Sequence, residues 1–129
     1  LRLLLDTHTL LWWLSDDPAL PLLARKNISS RVHTIYVSAA TAWEIATKYR
    51  IGKLPQGAEL ASHFDSILAS ESFESLPITT GHGVRAGLLP GPHRDPFDRM
   101  LIAQAHSENL TLVSNDKIFD DYKLHRLWD

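Results

Sequence analysis

The chain has 129 residues and a formal charge of −2, which predicts one domain over residues 1–129 and excludes the strongly basic class that coats nucleic acid through bulk charge. Hydrophobic residues make up 44% and charged residues 22%, ordinary globular values that exclude disordered and low-complexity architectures. Cysteine is absent, which excludes a disulfide scaffold, a zinc ribbon, an iron–sulfur site and a thiol nucleophile together. It also fits a reducing compartment, so a cytoplasmic location is expected. No signal peptide is visible and no apolar run approaches the ~20 residues of a membrane span, so no membrane association is expected.

Arg2–Leu5 reads as a short buried strand that ends at Asp6. Leu10, Leu11, Trp13 and Leu14 then follow helical spacing until Asp16-Asp17-Pro18 breaks it. Ala19–Ser29 reads as a second helix. Thr34–Val37 is β-branched, aromatic and short, hence a strand. Ser38 can cap the helix that carries Ala42, Trp43, Ile45, Ala46 and Tyr49 and stops near Gly52. Gly57–Ser70 reads as one amphipathic helix, Phe73–Ile78 as a strand, Thr79–Gly83 as a turn and Gly87–Pro96 as a loop. Phe97–Ser107 is a helix and Leu110–Val113 a strand. Ser114-Asn115-Asp116 is a turn, a short helix runs to Tyr122, and Leu124–Trp128 is a last short strand. Strands alternate with helices throughout, which predicts an α/β sandwich, layered α/β/α, around a mostly parallel sheet.

Open parallel sheets bind ligands beyond the carboxyl ends of their strands, so polar residues just after strands carry the functional argument. Four acids stand out. Asp6 follows the first strand, Glu44 lies two turns into the helix after Thr34–Val37, Asp98 sits in the first turn of the helix before Leu110–Val113, and Asp116 follows that strand. Asp98 shares a helix face with Leu101, Ile102 and Ala105, so its carboxylate heads a buried stripe and must be paired, protonated or bound to a cation. Glu44 lies between Trp43 and Ile45, with Lys48 four residues on as a partner. If the four converge, each pair ~5 Å apart repels by ~3 kcal/mol at an effective dielectric of about 20, so the cluster needs protons or a divalent cation. Hard oxygen ligands favour Mg²⁺ or Mn²⁺ over zinc, and such an ion suits phosphate ester chemistry. Each acid alone also has an ordinary structural reading: Asp95 and Asp98 as a helix cap and a dipole-favoured acid, Asp116 as a turn residue, Glu44 as half of an exposed ion pair, Asp6 as a loop carboxylate.

Four blocks, LLLDTHTLLWWL, VSAATAWEIATKYRIGKL, HRDPFDRMLIAQA and LTLVSNDKIF, together resemble PIN-domain ribonucleases, and within them VapC-type toxins of type II toxin–antitoxin modules. The blocks span the chain from first strand to last helix, and each places an acid where the family has one. The resemblance implies a PIN-like fold and a Mg²⁺- or Mn²⁺-dependent endoribonuclease. Its catalytic, metal-binding acids would map onto Asp6, Glu44, Asp98 and Asp116. It also implies products with 5′-phosphate and 3′-hydroxyl ends, an antitoxin partner whose tail occupies the site groove, and a homodimer. Of the two acids in HRDPFDR, Asp98 directly precedes the apolar helix and takes the family role. Asp95 becomes its cap or an outer support, and Thr7, Ser114 and Asn115 become supporting or water-holding groups.

RNA also has to be held. Lys48, Arg50, Lys53, Arg94 and Arg99 are candidate phosphate contacts, with Lys48 and Arg99 preferred because each lies near a proposed metal acid; the alternative is solvated surface charge. Trp12, Trp13, Trp43 and Trp128 could stack bases, but such residues more commonly serve cores and interfaces. His8 and His93 are possible metal or proton-transfer groups, though a lone histidine is more often structural. A haloacid-dehalogenase-type phosphatase would need an acid where His8 stands, and a receiver domain an acid where Ser38 and Ala39 stand. The remaining alternative is a PIN-like binding module without activity.

Overall fold

The computed structural model describes all residues, Leu1–Asp129. Five strands, β1 (Arg2–Leu5), β2 (Thr34–Ser38), β3 (Glu74–Leu76), β4 (Thr111–Val113) and β5 (Arg126–Leu127), form one sheet in the order β3-β2-β1-β4-β5. Every neighbouring pair is parallel. β1 is central, with Leu3 opposite Ile35 on one side and Thr111 on the other. The helices are α1 (Thr7–Leu14), α2 (Leu22–Ser29), α3 (Ala39–Arg50), α4 (Ala58–Ser62), α5 (Phe64–Ser70), α6 (Thr80–Leu88) and α7 (Pro96–Glu108), with short 3-10 turns at Pro55–Gly57 and Lys117–Tyr122. No helix is long and apolar enough to cross a membrane.

The period of two along β1 divides the core. Leu3 and Leu5 join Leu10, Ala24, Ile28, Ile35, Val37, Ile45, Leu60, Leu68 and Val113 on one face. Leu4 joins Leu101, Ile102, Ala105, Leu112, Phe119 and Tyr122 on the other. The sheet therefore carries helices on both faces, the three-layer architecture expected from alternating elements. The order of strands reverses its direction of growth between β1 and β4, and their carboxyl ends flank the crevice where such sheets bind ligands.

Several boundaries differ from the sequence expectation. α2 starts only at Leu22, because Pro21 takes the N-cap position. The helix expected over 57–70 is a 3-10 turn followed by two helices, since His63 leaves helical backbone angles at φ −134°, ψ 36°. Leu60 and Leu68 still enter the same core, so the burial pattern hides the break. β3 spans only three residues before Pro77, and β5 is confined to Arg126–Leu127. The turn expected at Thr79–Gly83 is the start of α6, closed by a capping box in which Thr79 Oγ1 accepts from His82 N and His82 Nδ1 accepts from Thr79 N. The loop accordingly begins after Leu88.

Candidate active site

β1 delivers Asp6 to the crevice as the N-cap of α1, where Oδ1 accepts from Thr9 N at 2.9 Å. The cap is tied to the neighbouring strand end: Asp6 N and Thr9 Oγ1 both donate to Val113 O. Asp6 is 6% exposed. Burial pushes its carboxyl above the ordinary aspartate range, against the opposing hydrogen bonds from Ser114 and Thr9.

Ser38 caps α3 by accepting from Ala40 N. The helix directs Glu44 inward while Trp43 beside it stays exposed. Both Glu44 oxygens have partners: Thr7 Oγ1 donates to Oε1 at 2.6 Å, and Lys48 Nζ donates to Oε2 at 2.7 Å.

α7 opens with Asp95 as N-cap and Pro96 in the first turn; Asp95 Oδ1 accepts from Phe97 N and Asp98 N. Asp98 Oδ2 lies 2.9 Å from His93 Nε2. Its carboxyl is pushed up to about 6, first by burial and then by the nearby Asp95 and Glu44 charges, with His93 opposing. After β4, buried Ser114 accepts from Asp116 N, and exposed Asp116 caps the following 3-10 turn through Ile118 N.

These elements line one cleft of about 500 Å³ with Asp6, Thr7, Glu44, Lys48, Asp95, Asp98, Asn115 and Asp116 on its walls. The four acids singled out in the sequence thus meet in one place. Buried Ser114, whose hydroxyl accepts from Asp116 N, lies close enough to Asp6 to oppose the rise of its carboxyl. Arg99 does not join them: its guanidinium donates to the backbone carbonyls of Ala86, Leu89 and His93. It clamps the loop before α7, and its guanidinium is engaged there rather than on the cleft wall beside Asp98. Lys53 lies in a neighbouring groove that shares Thr7, His8, Trp12 and Lys48 with the cleft. Trp43 packs edge-on against Phe97 at 4.9 Å, and Trp12 against His8 and Trp128.

Sequence reasoning missed Thr9 as a support of Asp6, Lys117 as a cleft residue and His93 as the partner of Asp98. His93 was visible as a polar residue in a loop, but its pairing depends on how Arg99 folds that loop.

The electrostatics suit a hard divalent cation. Five carboxylates (Asp6, Glu44, Asp95, Asp98, Asp116) face two ammonium groups (Lys48, Lys117) around the cleft; burial raises the Asp6 carboxyl, and burial with the nearby Asp95 and Glu44 charges raises that of Asp98. An all-oxygen donor set of this kind fits Mg²⁺ or Mn²⁺. As the side chains stand, no three carboxylates or imidazoles are grouped as a ready ligand shell. Glu44 is turned onto Thr7 and Lys48, and Asp98 onto His93.

The family profile of the PIN domain matches residues 3–124. Among solved structures, the fold resembles that of a chain in VapBC2 from Rickettsia felis bound to a DNA fragment from its promoter, with a TM-score of 0.73, 21% identity and full coverage of both chains. A chain in DNA-bound VapBC from Salmonella typhimurium matches with a TM-score of 0.67 and 20% identity, covering 98% of this chain and 97% of that one. The PIN domain endonuclease Utp24 matches with a TM-score of 0.50 and 16% identity, over 94% of this chain and 75% of its own. A search of curated protein sequences finds no match.

Proposed function

This chain belongs to the PIN domain family, and on that premise we propose that it is a Mg²⁺- or Mn²⁺-dependent endoribonuclease, the toxin of a toxin–antitoxin pair. The observation that carries the reading is the meeting of Asp6, Glu44, Asp98 and Asp116 in one cleft with too few cations to balance them. The fold's likeness to chains of VapBC complexes supports the toxin assignment and an antitoxin protein as partner. A homodimer remains part of the proposal on the family resemblance.

Asp6, Glu44, Asp98 and Asp116 would hold the metal. When bound, a hard divalent cation supplies charge neutralisation at an RNA phosphodiester and acidifies an attacking water. Thr7 keeps Glu44 directed at the cleft through its 2.6 Å hydrogen bond. Thr9 fixes Asp6, Ser114 holds the turn that carries Asp116, Asp95 fixes the start of α7, and Asn115 lines the cleft, where it would orient water or phosphate. Lys117 is the cleft cation free of an ion pair and would meet phosphate oxygens, whereas Lys48 is engaged with Glu44. One of the cleft acids would accept the proton released by the attacking water, while Asp98 keeps Oδ2 on the His93 imidazole at 2.9 Å. The products would carry 5′-phosphate and 3′-hydroxyl ends.

The test is incubation of a total-RNA pool with the purified protein and Mg²⁺, followed by end mapping. The wild type cleaves, whereas Asp6→Asn and wild type in excess EDTA do not. Cleavage by either of the latter contradicts the reading. A folded wild type that neither cleaves RNA nor binds metal is a PIN-like binding module instead.

A further inference from the structure

Glu44 differs from the other cleft acids in having an ammonium group already seated on it. Lys48 Nζ holds Oε2 at 2.7 Å, while the Thr7 hydroxyl holds Oε1. Asp6 and Asp98 face no lysine or arginine in an ion pair; Asp98 has only the His93 imidazole. Glu44 is 8% exposed at its side chain and Lys48 40%, so the acid is buried while its partner stands at the surface. Lys48 also lines both the acidic cleft and the adjoining groove, and the flexible stem has open space to move into.

We infer that Lys48 is a resident counter-cation of Glu44 that a divalent ion must displace, and that it thereby sets the metal affinity of the cleft. The inference rests on the metal-binding reading proposed above. The two hydrogen bonds divide the labour. Thr7 retains Oε1 and keeps the carboxylate aimed, while departure of Lys48 frees Oε2 for a new ligand. Without Lys48 or a metal, Glu44 would be a buried charge with no counter-charge, which is costly. The pair holds Glu44 turned onto Lys48, as the His93 contact holds Asp98, in a cleft whose acids present no preassembled ligand shell. Lys48 is therefore a positioning residue acting through Glu44.

The experiment measures Mn²⁺ affinity of the RNA-free protein by electron paramagnetic resonance of free Mn²⁺, for wild type, Lys48→Met, Lys48→Arg, the control Lys53→Met and Asp98→Asn. Lys48→Met is expected to tighten binding about tenfold, equal to about 1.4 kcal/mol. Lys48→Arg should stay near wild type, and Lys53→Met, which removes a nearby charge from outside the cleft, should change little. Thermal unfolding supplies a second readout: Lys48→Met lowers the metal-free midpoint and enlarges the upward shift on adding Mn²⁺. If Lys48→Met destabilises too far, Lys48→Gln takes its place in both assays. Unchanged or weaker Mn²⁺ binding by the folded variant overturns the inference. Loss of binding in Asp98→Asn alongside that result leaves the metal-site reading standing. A wild type that binds no Mn²⁺ overturns both.

Discussion

Two clusters of buried polar groups lie in this fold, and they solve the problem of burial in opposite ways. Near the amino end of α6, Gln104 Oε1 accepts from Ser38 Oγ at 2.5 Å and its amide donates to Pro77 O. His82 Nδ1 accepts from Thr79 N, and Nε2 lies 2.9 Å from Glu108 Oε2. That contact holds the Glu108 carboxyl below its ordinary range. Each group finds its complement inside the chain. At the carboxyl ends of β1 and β4 the opposite holds, where burial raises Asp6 and Asp98 and the neighbouring acids raise Asp98 further. A cluster that balances itself serves the fold, and one left with excess charge calls for something from outside.

The largest expected effect separates the two clusters by activity. Asp6→Asn or Asp98→Asn should lower Mg²⁺-dependent RNA cleavage by at least about 10³-fold, the scale of several kcal/mol of lost charge stabilisation. Circular dichroism should show the fold retained. Gln104→Ala should leave the kcat of cleavage within about a factor of three. An equal loss in both would erase the distinction.

Stability should move in opposite directions. The folded-state carboxyl of Asp98 is raised from 3.8 to about 6. Its favourable contribution is therefore complete below about pH 4 and is lost as pH rises through about 6. Metal-free Asp98→Asn should consequently be more stable than wild type at pH 7, by up to about 3 kcal/mol, and the gap should close toward pH 4. Urea unfolding at a series of pH values in EDTA checks this. Gln104→Ala should instead destabilise by ~1–3 kcal/mol, because Ser38 and Pro77 lose their buried partner. A smaller effect concerns the frame that both clusters share. A Cβ on Gly83 in α6 would meet nothing within 4 Å, so Gly83→Ala should stabilise by ~0.5–1 kcal/mol in thermal unfolding. Mn²⁺ affinity should not move.

The same contrast explains what could be read from the residues. β1, β2 and β4 were visible as short apolar runs; Asp6 and Asp116 were visible because they follow strands, Asp98 because it starts a helix beside one, and Glu44 because it stands between Trp43 and Ile45 in the helix after β2. α6 was not, since Gly81, Gly83 and Gly87 mask a helix that a capping box and the clamp from Arg99 hold in place. The interruption at His63 left no trace, because both flanking helices bury residues in one core. Pairings within the site were the hardest to foresee. Lys48 with Glu44 follows from helical spacing, but His93 with Asp98 and Arg99 with the loop carbonyls arise from tertiary placement and backbone acceptors. Carbonyl oxygens are present at every residue and leave no pattern in a sequence.

Mn²⁺ titration of the RNA-free protein at pH 7.5 by isothermal calorimetry, comparing wild type with Asp6→Asn, Asp98→Asn and Gln104→Ala, bears most directly on the central claim that the unbalanced cleft binds a divalent cation. Saturable binding in wild type and Gln104→Ala, lost in both aspartate variants, is the predicted result. No binding in wild type, or equal binding in the aspartate variants, would contradict it.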